Sequence, residues 1–145
     1  MTPIIRSTRD GSTPQFLAIG HITRDIQTDG SFSLGGTATF AALTAYRLGL
    51  AAAVVTRVDP QLALELPARL PGIALASSSS PATTTFANQY YTGFRIQYLK
   101  AKAEALQPED VPLAWRAAPI VLLGPLAQEL PANIVTLFPR RPGAI

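Results

Sequence analysis

The sequence predicts an α/β fold built on a parallel sheet. Three short apolar runs, Phe16–Ile19, Ala51–Thr56 and Ile120–Leu123, are bounded by glycine or proline, the pattern of strands covered on both faces. Segments of helical period lie between them. Strand, helix and strand in sequence make a βαβ unit, whose crossover is right-handed and whose strands are parallel.

Composition limits what else the chain can be. At 145 residues there is room for one domain, since domains run to roughly 100–200 residues. Charged residues are only 14% of the chain, against about 25% in ordinary soluble domains, so its surface expects cover from more protein. Ten of its 12 cations are Arg, and they are scattered from Arg6 to Arg141 rather than gathered in a stripe, which argues against nucleic acid as a partner despite a net charge of +3. Cysteine is absent, which removes disulfides, thiolate metal sites and a Cys nucleophile. The single histidine, His21, leaves no histidine-based metal site, and no apolar stretch reaches the roughly 18 residues of a membrane span. With no signal-peptide pattern at the start, the expected location is the cytoplasm.

The elements follow in order. Residues 1–15, with Pro3, Gly11 and Pro14, read as a disordered arm, and one domain is expected over 16–145. After the strand at Phe16–Ile19, Asp29-Gly30 marks a hairpin turn between Ile22–Thr28 and Ser31–Leu34, a small ribbon off the sheet. Residues 38–48 read as a helix with Phe40, Thr44 and Leu48 on one face beside Ala41 and Ala45, and Gly49 stands at its C-terminal cap. A second helix is expected over Gln61–Leu70, with Leu62, Leu66 and Leu70 in register, Leu64 beside them, and Pro67 kinking or shortening it. Ile73–Ala76 reads as a strand and Ser77–Ser80 as a low-complexity loop. Thr83–Phe86 and Arg95–Leu99, joined across Thr92-Gly93, read as a second hairpin. Short helices are expected over 108–116 and 131–138, and Ile145 stands where a further strand would begin.

Several residues carry chemistry on paper. Asp25, just past a central strand, suits hydrogen bonding to hydroxyls at the place where open α/β sheets hold ligands; equally, it reads as an exposed loop acid beside Arg24. Gly35-Gly36 reads as a turn in which backbone touches a ligand, or as a tight turn from ribbon to helix. A dinucleotide fingerprint does not fit, because Gly20 lacks the two further glycines. His21 has the chemistry of a general base, but no nucleophile is marked beside it and a structural role is the simpler reading. Glu109-Asp110 point in different directions on a helix and read as a solvated first turn. Tyr90, Tyr91 and Phe94 read either as stacking groups for a sugar ring or as core cover.

Taken in order, these pieces resemble the ribokinase-like, PfkB-type carbohydrate kinases. The resemblance rests on Gly20-His21-Ile22-Thr23-Arg24-Asp25, then Leu34-Gly35-Gly36-Thr37-Ala38-Thr39-Phe40-Ala41-Ala42, Arg47-Leu48-Gly49 and Val54–Val58, and it extends over about residues 16–138. It implies a parallel sheet sandwiched by helices, with a small protruding β-lid made of strands near 22–34 and 83–99. It further implies binding of a sugar or polyol between lid and sheet, and its phosphorylation from ATP with Mg2+. Carried over residue by residue, Asp25, Gly35, Gly36, Thr39 and Phe40 stand at substrate-binding positions, and Thr85 and Phe86 on the lid. Phe40 stands where many members of the family carry Asn, and Asp59-Pro60 follows Val58 where the family often has Gly.

The other end departs further. The family's catalytic base is an Asp in a Gly-Ala-Gly-Asp turn, and none of the five Asp residues here follows a Gly. No catalytic, nucleotide-binding or metal-ligating residue is therefore assigned, and the expectation is a substrate-side portion, truncated before the C-terminal nucleotide-binding half and inactive as this chain. The alternative is a non-catalytic ligand-binding or interaction module derived from the same fold. The lid, or a sheet edge left exposed, offers a homodimer contact.

Overall fold

The structure, a computed structural model, describes residues 4–6 and 12–139. Its main sheet has five strands in the order β1-β6-β5-β2-β9, formed by Ile4–Arg6 (β1), Phe16–Ile19 (β2), Ala52–Val58 (β5), Ala74–Ser79 (β6) and Ile120–Leu123 (β9). The last four named are mutually parallel, and β1 pairs antiparallel with β6. These three residues of β1 lie inside the stretch expected to be a disordered arm; the expected strand start at Ile145 lies outside the described residues.

Period-two alternation sorts the strand side chains onto two faces. Ala18, Val54, Val58 and Leu75 pack beneath α1 (Thr37–Arg47) and α2 (Pro60–Arg69), whereas Leu17, Ile19, Ala53, Val55 and Ala76 meet Leu106, Val111, Trp115 and Ile134 on the opposite face. Fully burying a leucine or isoleucine such as Leu17 or Ile19 is worth roughly 1.5–3 kcal/mol each.

The first helix closes as the sequence suggests, but its buried side differs. The Gly49 N–H bonds Tyr46 O and the Leu50 N–H bonds Ala45 O, a Schellman motif that needs the positive φ of Gly49. The face against the sheet is Ala38, Thr39, Ala42 and Ala45, while Phe40 is 60% and Leu48 76% exposed. Small side chains let the helix axis approach the strands. The large apolar stripe therefore points outward, where Phe40 and Leu48 line an apolar groove with Phe16, Leu50 and Ile120.

In α2, Leu62 and Leu66 are buried but Leu64 is exposed, and the helix continues through Pro67 to Arg69. Ser77–Ser79 belong to β6 rather than to a loop: Ser77 and Ser78 are buried, Ser79 is exposed, and Ser78 donates to Asp110 Oδ1 at 2.8 Å. The segment 108–116 forms two 3-10 turns, Pro108–Asp110 and Leu113–Ala117, because Pro112 has no N–H with which to continue a helix. Ala132–Leu137 is likewise 3-10 rather than α.

The second sheet is the lid. Thr23–Ile26 (β3), Phe32–Gly35 (β4), Thr85–Tyr91 (β7) and Phe94–Ala101 (β8) form a four-stranded sheet in the order β4-β3-β7-β8. The two hairpins join through parallel pairing of β3 with β7, which sets Asp25 beside Phe86. Among the described residues, no helix is long and apolar enough to cross a membrane.

Candidate functional site

The chain leaves β2 toward β5 on one side, while β9 lies on the other. Such a reversal of strand order opens a crevice at the carboxyl ends of the strands. Here those ends are Gly20 and Gly124, whose backbones touch: a Cβ on Gly20 would stand 2.5 Å from Gly124 O. The lid begins directly beyond, at Thr23.

Between the lid and the first turn of α1 lies a cleft of ≈ 270 Å³, lined by Thr23 and Asp25 of β3, Gly36 at the N-cap of α1, Thr37 and Phe40 of α1, Phe86, Arg95 and Gln97 of the lid hairpin, and Leu126. Asp25 is oriented by its neighbours. The Thr23 hydroxyl donates to Oδ1 at 2.9 Å, and no hydrogen bond within the described residues reaches Oδ2. Gly35 explains how the carboxylate fits, because a Cβ there would collide with the Asp25 side chain.

Gly36 serves the helix start. Its φ of 98° lies in the region open to glycine, and a Cβ would stand 2.5 Å from His21 O and 3.3 Å from Leu126 Cδ1. No side chain caps the N-terminus of α1, so its positive end is presented to the cleft.

Of the residues singled out in the sequence, Asp25, Gly36, Phe40 and Phe86 thus line one cleft, and Gly35 backs Asp25. Thr39 and Thr85 lie behind it. Thr39 is buried and donates to Gly35 O at 2.7 Å, and Thr85 donates to Thr83 O at 2.9 Å. Tyr91 and Phe94 stack on each other at the hairpin tip, with ring centroids 4.8 Å apart, and do not line the cleft.

His21 is held as a structural group. Nε2 lies 2.9 Å from Glu104 O, a carbonyl that only accepts, so Nε2 carries the proton. Thr84 Oγ1 accepts from the Ala103 N–H and lies 2.7 Å from Nδ1, to which its hydroxyl donates. Burial pushes the imidazole below its ordinary value, against the opposing pull of Glu129. Asp110 corrects the expectation of a solvated turn: it is buried, bound by Arg57 at 2.8 and 3.1 Å, by Ser78, and by the Gln107 N–H, while Glu109 stays exposed.

Three supports of the site were not singled out in the sequence. Glu129, fully buried, accepts from the N–H groups of His21, Leu126 and Ala127, and so ties the loop after β9 to the loop after β2. Burial alone would raise its carboxyl, but these backbone donors hold it below the ordinary carboxylate value. Arg24, beside Asp25, forms an ion pair with Asp59 at 2.5 Å. Asp59 also caps α2 through the Leu62 N–H at 2.9 Å and accepts from the Thr83 hydroxyl. Burial works against the Asp59 carboxylate, yet bonds from Arg24, Thr83 and Leu62 hold it at about 2. That is the local reason for Asp59-Pro60, a capping acid followed by Pro at the first helical position. The third support is the pair Arg95 and Gln97, whose alternation along the second hairpin places them on the same lid face as Phe86.

Solved structures resembling the chain show its fold. A pyrophosphate-dependent kinase in the ribokinase family, complexed with a pyrophosphate analog and myo-inositol, superposes with TM-score 0.67 at 26% identity, over 84% of this chain and 44% of that one. A sulfate complex of a pyrophosphate-dependent kinase in the ribokinase family gives 0.68 at 25% identity, over 84% and 45%. An uncharacterized sugar kinase from Pyrococcus horikoshii gives 0.59 at 16% identity, over 74% and 42%, a likeness of fold. No family model and no curated protein matches the sequence. The chain has a ribokinase-like fold, and it spans less than half the length of these solved kinases.

Proposed function

We propose that the chain carries the substrate-binding part of a carbohydrate or polyol kinase, and that the cleft under the lid is where the hydroxylated substrate sits. The observation that supports this best is the Asp25 carboxylate: one oxygen is fixed by Thr23, the other has no donor among the described residues, and both stand at the switch point of the sheet beside an uncapped helix start. A carboxylate so placed accepts two hydroxyl hydrogen bonds, and Phe40 and Phe86 offer apolar cover for a ring. The myo-inositol complex of a similarly folded kinase agrees with a polyol as the ligand class.

Transfer itself is assigned no residue of this chain. The sequence lacks a Gly-Asp pair for the base, and among the described residues no three His, Asp or Glu side chains come together as metal ligands. ATP and Mg2+ therefore belong to what the resemblance implies for a complete domain, and the two pyrophosphate-dependent kinases of similar fold add pyrophosphate as a second donor to be tried. What these residues do is bind, orient and shield the acceptor. The test joins two measurements on the purified chain: calorimetric titration with a panel of sugars and myo-inositol, and phosphoryl transfer from ATP or pyrophosphate with magnesium. Binding without turnover is the expected result, and robust turnover by the chain alone would remove the non-catalytic part of the proposal.

A further inference from the structure

The cleft holds one acid and one base, and they are not paired. Arg24, Arg57, Arg69 and Arg116 each have protein partners, in Asp59, in Asp110 and Glu104, in Glu65, and in the carbonyls of Val111 and Pro108. Arg95 and Arg47 have no ion pair, side-chain hydrogen bond or ring contact among the described residues, but of the two only Arg95 lines the cleft that Asp25 lines. Its place is fixed by the β7–β8 ladder. Arg95 stands opposite Tyr90, Gln97 opposite Asn88 and Leu99 opposite Phe86, so Phe86, Asn88, Arg95 and Gln97 share the face of the lid that looks into the cleft. On that same face, Asn88 Oδ1 is buried without a hydrogen-bond partner, so the protein does not saturate its own polar groups there.

The chemistry of these groups divides the ligand in two. Asp25 recognises hydroxyls and repels anions, so a negative group cannot rest at its end of the cleft. A guanidinium with no internal partner is a planar fork of donors matched to a carboxylate or a phosphate, and the uncapped N-terminus of α1 adds positive potential to the same space. Resting on the polyol reading above, we infer that the substrate class is an anionic polyol, a phosphate monoester or carboxylate of a sugar or cyclitol, with its hydroxyls on Asp25 and its charge on Arg95.

The two anionic chemistries are separated by the ligands used. Calorimetry compares neutral myo-inositol and ribose with an inositol monophosphate and with gluconate, for the wild-type chain and for Arg95→Gln, which alters an exposed lid position. The expected result is that at least one of the two anionic ligands binds about tenfold or more tightly than the neutral ones, as a charge-assisted hydrogen bond provides. Arg95→Gln removes that preference, weakening the anionic ligand by a clearly larger factor than the neutral ones. Equal affinity for neutral and anionic ligands in the wild type, or equal weakening of both by Arg95→Gln, would overturn the inference while leaving the polyol reading standing, provided neutral binding still depends on Asp25. Absence of binding by any ligand of either kind would overturn both.

Discussion

The Asp25 carboxylate fills the volume into which a side chain on Gly35 would project: its Cγ and Oδ1 lie 2.7 Å from the position of a Gly35 Cβ, and Oδ2 lies closer still. The two residues sit on paired strands of the lid, Asp25 on β3 and Gly35 at the end of β4. Glycine is required here by the acid rather than by the backbone, since the positive φ belongs to Gly36.

This relationship predicts strong non-additivity. Gly35→Ala should cost roughly 1–3 kcal/mol of stability, the usual range for overpacking, and should weaken polyol binding by displacing the carboxylate. In an Asp25→Ala background the colliding atoms are gone, so the same substitution should cost less than half as much. Denaturant melts of the four chains in the cycle measure this directly. Equal costs in both backgrounds would contradict the packing described.

The Arg24, Asp59 and Thr83 cluster predicts an acid-labile lid attachment. Asp59 is held at about 2, below its ordinary 3.8, so its contribution to stability is complete above 3.8 and is lost as pH falls through about 2. The depression corresponds to roughly 2 kcal/mol, and Asp59→Asn should flatten the stability profile between those values. Chemical denaturation from pH 5 downward reads the difference between the two chains.

Glu129 makes a prediction about the cleft at Leu126. Removing its carboxylate leaves the N–H groups of His21, Leu126 and Ala127 without acceptors in a buried place, so Glu129→Ala should destabilise the chain by about 3 kcal/mol or more. Glu129→Gln keeps one acceptor and should lose less. Amide hydrogen exchange at Leu126 and Ala127 should rise in the Ala variant before exchange in β5 does.

His21 should stay neutral, with its proton on Nε2. Because burial lowers its pKa, its neutral form stabilises the fold fully above the ordinary value of 6.5, and stability falls as pH drops below it. Nitrogen chemical shifts of the ring report the tautomer. A doubly protonated ring in the folded chain at pH 6.5 would contradict the hydrogen-bond assignment.

Much of the sheet was legible because its strands are continuous apolar runs, and the lid because Asp29-Gly30 and Thr92-Gly93 mark its turns. The helices were legible in place but less so in facing. In α1 the packing surface is alanine and threonine, so hydrophobicity pointed to Phe40 and Leu48, which lie outside. Of the residues lining the cleft, Asp25 and Gly36 could be named from their places past a strand and at a helix start, and Phe40 and Phe86 from the resemblance. Glu129 could not, since its partner His21 is 108 positions away and its side-chain bonds among the described residues are all to backbone, which leaves no mark in sequence. Arg57 and Asp110, 53 positions apart, were hidden in the same way.

The most direct test of the central claim, that the cleft between lid and α1 is the ligand site, is a backbone-amide NMR titration of the chain with the polyol that binds best. The account predicts that the largest shifts fall on Asp25, Gly35, Gly36, Thr37, Phe86 and Gln97, and that Asp25→Ala abolishes them. Shifts centred instead on the separate cavity between α2 and Ser77–Ser79, or unchanged by Asp25→Ala, would contradict it.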